Sequence, residues 1–216
     1  MAILLTVLTS GMARAQQPQT EQAADIVSNA QNHPLIRFGL EWGYTPTIAG
    51  LYHYNYISDD GYRINDSGSG LYYATNADIL AHFGVNVSRK LSISAITGNM
   101  GITKGTRVIP IIMRLSYYFN GVSNDGMFTY VDGGAGIHPA KPETPPRNAA
   151  WLANLGGGYR IALSREISLD FLSSVRWTYD HALIQNPDTG GWVQPQNIRR
   201  DNTGYLALTL SIGLTF

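Results

Sequence analysis

Cysteine is absent, so neither a disulfide framework nor a thiolate metal site is open to this chain of 216 residues. Charge is scarce as well. Charged residues make up 14% of the sequence, against roughly 25% in ordinary soluble domains. Lys+Arg 15 and Asp+Glu 15 balance, which removes the basic excess that a nucleic-acid surface requires. Long hydrophobic runs are missing too: nothing after the N-terminal segment approaches the roughly 18–20 uncharged apolar residues of a transmembrane helix. A chain of this kind crosses a membrane only as a closed barrel, where every strand hydrogen bond is satisfied without water. No repeat of a solenoid's length and no internal domain boundary is visible, and the length suits one barrel or sandwich.

What is abundant points the same way. Gly 23, Tyr 13 and Trp 4 suit strands, turns and amphipathic aromatics. At the N-terminus, Ala2 to Leu8 is an apolar run, and Ala13-Arg14-Ala15 places small residues at the −3 and −1 positions of a cleavage site before Gln16. Residues 1–15 therefore read as an export signal, although its usual basic start is lacking. Residues 16–34, rich in Gln, Asn and Ala, read as a flexible leader. Beyond them the apolar–polar alternation of half-buried strands recurs, predicting strands over 35–44, 71–87, 90–98, 107–119, 127–138, 150–162, 167–179 and 203–216. Connections at 87–90, 120–126 and 163–166 are short. Those at 45–70, 99–106, 139–149 and 180–202 are mostly longer. Strict alternation of the two classes is what an up-and-down barrel with turns at one rim and loops at the other requires.

One phase of the strands carries Ile36, Phe38, Leu40 and Trp42, then Ile79, Phe83 and Val85, then Ile109, Ile111, Met113 and Leu115. The other carries Gly39, Gly43, Ser92, Ser94, Ser116, Gly134, Gly136, Gly156, Gly158 and Ser174, together with the eight charges that lie well inside the predicted strands: Arg37, Glu41, Asp78, Arg114, Asp132, Arg160, Asp170 and Arg176. A charge facing lipid near the midplane costs roughly 2–4 kcal/mol, which accounts for their segregation. A soluble ligand carrier would show the same period turned inside out. Small residues on the polar phase favour the apolar-outside arrangement, because the interior of an eight-stranded barrel is barely wide enough for its own side chains. Aromatics at the strand ends agree: Trp42, Tyr44, Tyr73, Trp151, Trp177 and Tyr179 towards the loops, Tyr117, Phe119, Tyr159 and Phe216 towards the turns.

With Leu214-Thr215-Phe216 closing an unbroken alternation from Leu206, residues 35–216 resemble the small outer-membrane barrels of the OmpA/OmpX type and the generic outer-membrane β-barrel families. The resemblance implies an all-β, eight-stranded antiparallel up-and-down barrel in a Gram-negative outer membrane. It makes Phe216 similar to the assembly signal read by the barrel-insertion machinery. Outer-membrane lipids including lipopolysaccharide, that machinery and a further outer-membrane protein are the partners it implies, with no nucleic acid and no cofactor.

Hairpin arithmetic sets Arg114 opposite Asp132, both nine residues from Ser123, and makes Arg160 and Asp170 near partners, both five from Arg165. Glu41, Asp78 and Arg176 are expected nearer the loop rim. These eight charges read as a salt-bridged plug, since an unpaired buried charge is costly. A gate with exchangeable ion pairs is the alternative. For catalysis the sequence offers little. Ser28-Asn29-Ala30 superficially matches a deacylase motif but falls in the leader, and His138 and His181 with Asp180 near the loop rim are the remaining set. Asp59, Asp60, Asn65, Asp66 and Gly68 are oxygen-rich but lack calcium-loop spacing. Tyr52, Tyr54 and Tyr56 either extend a strand above the membrane or present a contact surface. Trp192, Pro195, Arg199 and Arg200 form a second contact candidate, the arginines suited to phosphates. The glycines around 133–136 and 156–158 read as space for larger neighbours. The expected function is a non-enzymatic barrel with a plugged lumen and long external loops that stabilise the membrane or contact a partner. A small gated channel, and after it a lipid-A-modifying barrel enzyme, are the alternatives.

Overall fold

The computed structural model describes residues 35–140, 142, 144–164, 166–186 and 189–216. The export signal and leader read at 1–34, Ser28 among them, lie outside the described residues. Eight strands follow in chain order: β1 (Ile36–Ile57), β2 (Arg63–Asn86), β3 (Leu91–Thr103), β4 (Thr106–Tyr118), β5 (Gly126–Ile137), β6 (Ala150–Ala162), β7 (Ser168–His181) and β8 (Ile198–Thr215). Each pairs antiparallel with its chain neighbour, and β1 pairs with β8 to close the ring. Phe216 completes the closure: its amide donates to the Phe38 carbonyl at 2.7 Å, and its own carbonyl accepts from the Phe38 amide at 3.1 Å.

The faces follow the alternation. Ile36, Phe38, Leu40, Trp42, Ile79, Phe83, Val85, Ile109, Ile111, Met113 and Leu115 are all exposed on the outside, while the eight strand charges are buried inside. Of the aromatics assigned to the strand ends, all but the partly buried Tyr179 are exposed. Glycine serves close approach where aromatics cross the lumen. A Cβ on Gly156 would stand 2.6 Å from the Tyr130 ring, and one on Gly158 2.7 Å from the Phe128 ring. Gly133 differs, facing outwards with nothing near it.

Three expectations need correction. The connection read at 45–70 is strand for most of its length: β1 and β2 continue as a ladder from Ala49↔Leu71 to Ile57↔Arg63, leaving a turn at 58–62. Alternating Tyr52, Tyr54 and Tyr56 carry β1 onwards, because aromatics suit a pleated surface. Likewise 99–106 is not a loop: β3 runs to Thr103, and only Lys104 and Gly105 turn, with Gly105 at φ +80°. Arg199 and Arg200 belong to β8 rather than to a loop.

Nor is the inner phase uniformly polar. Leu80, Ile96, Met100, Ile102, Val108, Ile112, Ala150 and Leu152 form a buried apolar cluster inside the ring, on β2, β3, β4 and β6. Lipid constrains only the outer phase. Inside, apolar packing fills space as well as paired charge does.

Candidate functional site: the lumen and its outer mouth

From the short-turn rim upwards, the lumen is filled by ion pairs and packed side chains. Arg160 grips Asp170 with both edges, Nε to Oδ1 at 2.6 Å and Nη2 to Oδ2 at 2.5 Å, and Thr215 Oγ1 donates to the same carboxylate. Its guanidinium lies over the Tyr118 ring, 4.4 Å from the centroid. The turn between β4 and β5 folds inwards here. Val122 is fully buried against Tyr118, Phe128, Tyr130 and Leu172, and its carbonyl accepts from both Arg37 Nη2 and Arg160 Nη1 at 2.7 Å. Among the described residues Arg37 has no carboxylate partner, so this carbonyl stands in for one.

Arg114 occupies the next level. Its Nε and Nη2 donate to the two oxygens of Asp132 at 2.8 and 2.9 Å, and its Nη1 donates to Glu41 Oε2 at 2.9 Å. Asn154 Nδ2 donates to Asp132, Ser211 Oγ donates to Glu41, and Tyr130 lies against the guanidinium at 4.2 Å. A single cation therefore holds two acids drawn from opposite sides of the ring. Higher still, Arg176 Nη2 donates to Asp78 Oδ2 at 2.7 Å, while Thr45 Oγ1 and the Gly101 amide complete that carboxylate at 2.7 and 2.9 Å. The apolar cluster packs inside the ring on β2, β3, β4 and β6, sharing β2 with Asp78 and β4 with Arg114.

The register expectations hold for Arg114↔Asp132 and Arg160↔Asp170, which are direct cross-strand partners. Asp78 and Arg176 do lie towards the loop rim. Glu41 does not belong with them: it joins Arg114, a contact across the barrel that hairpin counting does not reach. Sequence reading also missed Val122, Asn154, Ser211 and the apolar cluster. The cluster had a signal, because Val108 to Met113 is apolar on both phases around Pro110.

At the long-loop rim, Asp180 accepts from His138 Nε2 at 2.8 Å if that nitrogen carries the proton, from the His181 amide at 2.8 Å, and from Arg147 Nη2 at 2.6 Å. His181 does not meet Asp180 through its ring, which instead faces Asp201, Nδ1 to Oδ1 at 2.6 Å. Arg147, unflagged by sequence, ties this cluster together by also donating to the His181 carbonyl. Above the rim, Tyr52 and Tyr54 stack at 5.1 Å, and Tyr56 is buried against Ile184 and Val193 of the β7–β8 connection. Burial pushes the Tyr54 phenol up to about 12. Trp192 is half exposed, Arg199 and Arg200 are exposed, and Asp59 accepts from Thr189 Oγ1 across the loops.

No family model matches this chain, and neither does any curated protein. Among solved structures it is similar to the outer membrane protein OprG from Pseudomonas aeruginosa, at 10% identity over 87% of this chain and 99% of that one, with a TM-score of 0.46. AlkL solved in lipid bilayers is similar at 14% identity over 85% and 92%, with a TM-score of 0.46. The N-terminal β-barrel domain of Pseudomonas aeruginosa OprF is similar at 12% identity over 87% and 99%, with a TM-score of 0.40. The decisive observations are in the chain itself. Its strands close into a ring with an apolar exterior and a buried polar interior, the architecture of the small outer-membrane β-barrels.

Proposed function

We propose that this protein is exported with cleavage before Gln16 and resides in the outer membrane as a non-enzymatic, occluded barrel. Its outer loops and the raised β1–β2 hairpin contact the membrane surface or another outer-membrane protein, with lipopolysaccharide phosphates as targets for Arg199 and Arg200. The observation that carries this reading is the filling of the lumen. Three levels of ion pairs and one apolar cluster pack the lumen, and seven of the eight buried strand charges sit in ion pairs whose breakage would be costly. Assembly uses Phe216 as the terminal signal, presented on the strand that closes the ring.

A gated pore is favoured by one feature only, the sharing of Arg114 between two acids, which allows partner exchange. The apolar cluster above it opposes that reading, because opening would need its whole packing to move. Single-channel recording from the purified barrel in planar bilayers separates the two: a silent membrane is expected, and steady unitary currents would overturn occlusion. Residence is tested separately. The protein is expected to fractionate with outer membrane and to migrate faster on SDS gels before boiling than after, whereas a soluble monomer without detergent would refute it.

A further inference from the structure

At the outer mouth the chain builds a cup of 380 Å³ that the lumen's occlusion leaves open to one side, with Thr103, Lys104, His138, Arg147, Trp192 and Tyr205 among its lining residues. Its size falls within the roughly 300–1,000 Å³ of small-molecule sites. A second hollow of 360 Å³ adjoins it and shares Arg147 and Trp192. Tyr205 rests on the apolar cluster below and is steadied by Tyr72, 6.0 Å away between ring centroids. Trp192, Tyr205, Pro139 and Leu183 give this cup apolar surfaces, two of them aromatic.

The polar groups are unevenly satisfied. Asp180 is buried and already engaged by His138, Arg147 and the His181 amide, so its charge is spent within the rim. Arg147 commits Nε and Nη2 to Asp180 and the His181 carbonyl, but among the described residues its Nη1 donates to nothing. Lys104, on the β3–β4 turn, has neither hydrogen bond nor ion pair among the described residues. The ammonium of Lys104 and the free Nη1 edge of the ion-paired Arg147 thus line a hollow that also presents aromatic rings. We infer that this cup binds a small anion with a flat unsaturated body, an aryl carboxylate, its carboxylate between Lys104 and the free edge of Arg147 and its ring against Trp192 and Tyr205.

The inference does not depend on the lumen being closed or on the partner of the loops. Equilibrium dialysis of the full-length barrel in detergent against 2-naphthoate, with empty micelles as reference, tests it. One saturable equivalent is expected, and 2-naphthamide, which keeps the ring and loses the charge, should bind at least about tenfold more weakly. Lys104→Gln, on an exposed turn, should lower naphthoate affinity about tenfold with Lys104→Arg restoring it, and Trp192→Ala should weaken both ligands. Heat-modifiable migration confirms that each variant still folds. Absence of saturable binding, equal affinity for naphthoate and naphthamide, or unchanged binding by Lys104→Gln would each overturn the assignment.

Discussion

Removing Arg114 should damage this barrel more than removing either acid it holds. Arg114→Met leaves the side chains of Asp132, 1% exposed, and Glu41, 5% exposed, as two buried carboxylates with no cation between them. Breaking one buried pair from one side costs roughly 3–5 kcal/mol, and here two are broken, so about 5 kcal/mol is expected. Asp132→Leu is milder. Arg114 keeps Glu41 but loses two of its three charge-assisted hydrogen bonds, and Asn154 Nδ2 loses its acceptor, for about 3 kcal/mol. If the pair stood alone, the double variant would recover nearly everything. Glu41 changes that outcome: Arg114→Met with Asp132→Leu still strands one carboxylate beside Ser211, so about 3 kcal/mol of loss should persist, well short of the additive 8 or so. Adding Glu41→Gln removes the last charge and should bring the loss to about 1–2 kcal/mol. Urea unfolding in lipid vesicles, followed by tryptophan fluorescence, gives all four values. Additivity of the two single losses within about 0.5 kcal/mol, or a triple variant no better than the double, would refute a shared three-membered network.

Other perturbations probe the outside and the rims. Leu210→Arg puts a charge on the lipid face in mid-strand and should cost roughly 2–4 kcal/mol, whereas Leu71→Arg, above the aromatic ring and more exposed, should cost under about 1 kcal/mol. Equal losses in the same vesicle titration would misplace the membrane band. Tyr56→Ala empties the packing beneath the β7–β8 connection, a loss of about 3 kcal/mol confined to that region. Faster proteolysis within 182–197 at an unchanged barrel unfolding midpoint is the expected readout, and unaltered cleavage would show the connection to be held elsewhere. Deleting Phe216, or Phe216→Asp, should lower the amount of heat-modifiable barrel in cells and leave degraded chain. Normal assembly would reduce this residue to a rim aromatic.

The outward face was readable because lipid enforces it residue by residue. A single charge at Met113 or Leu210 would be expelled, so the alternation there is clean and the eight strands could be counted from it. Arg114 with Asp132, and Arg160 with Asp170, were readable for another reason: a short turn fixes the register of its own hairpin, so counting from the turn is enough. Neither rule reaches Glu41. Whether β1 presents it to Arg114 depends on how far every strand has slid around the ring, which no local signal records.

The raised hairpin shows how one residue redirects a whole surface. Below the irregularity between Thr47 and Ala49, odd-numbered β1 positions such as Thr45 and Thr47 face inwards. Above it the phase has flipped, and Tyr54 and Tyr56 turn towards the loops that cover the mouth, while Leu51 and Ile57 are exposed. Without that extra residue the tyrosines would face away from Ile184 and Val193, and the connection would lose its anchor. The sequence carried the tyrosine alternation but not the slip. The same freedom explains the apolar cluster. Nothing outside the protein selects what fills the lumen, provided that each buried charge finds a partner and each gap is closed. The interior is thus decided by long-range fit, and there charge and hydrocarbon meet the requirement equally well, side by side on strands such as β2, with Asp78 and Leu80, and β4, with Arg114 and Ile112.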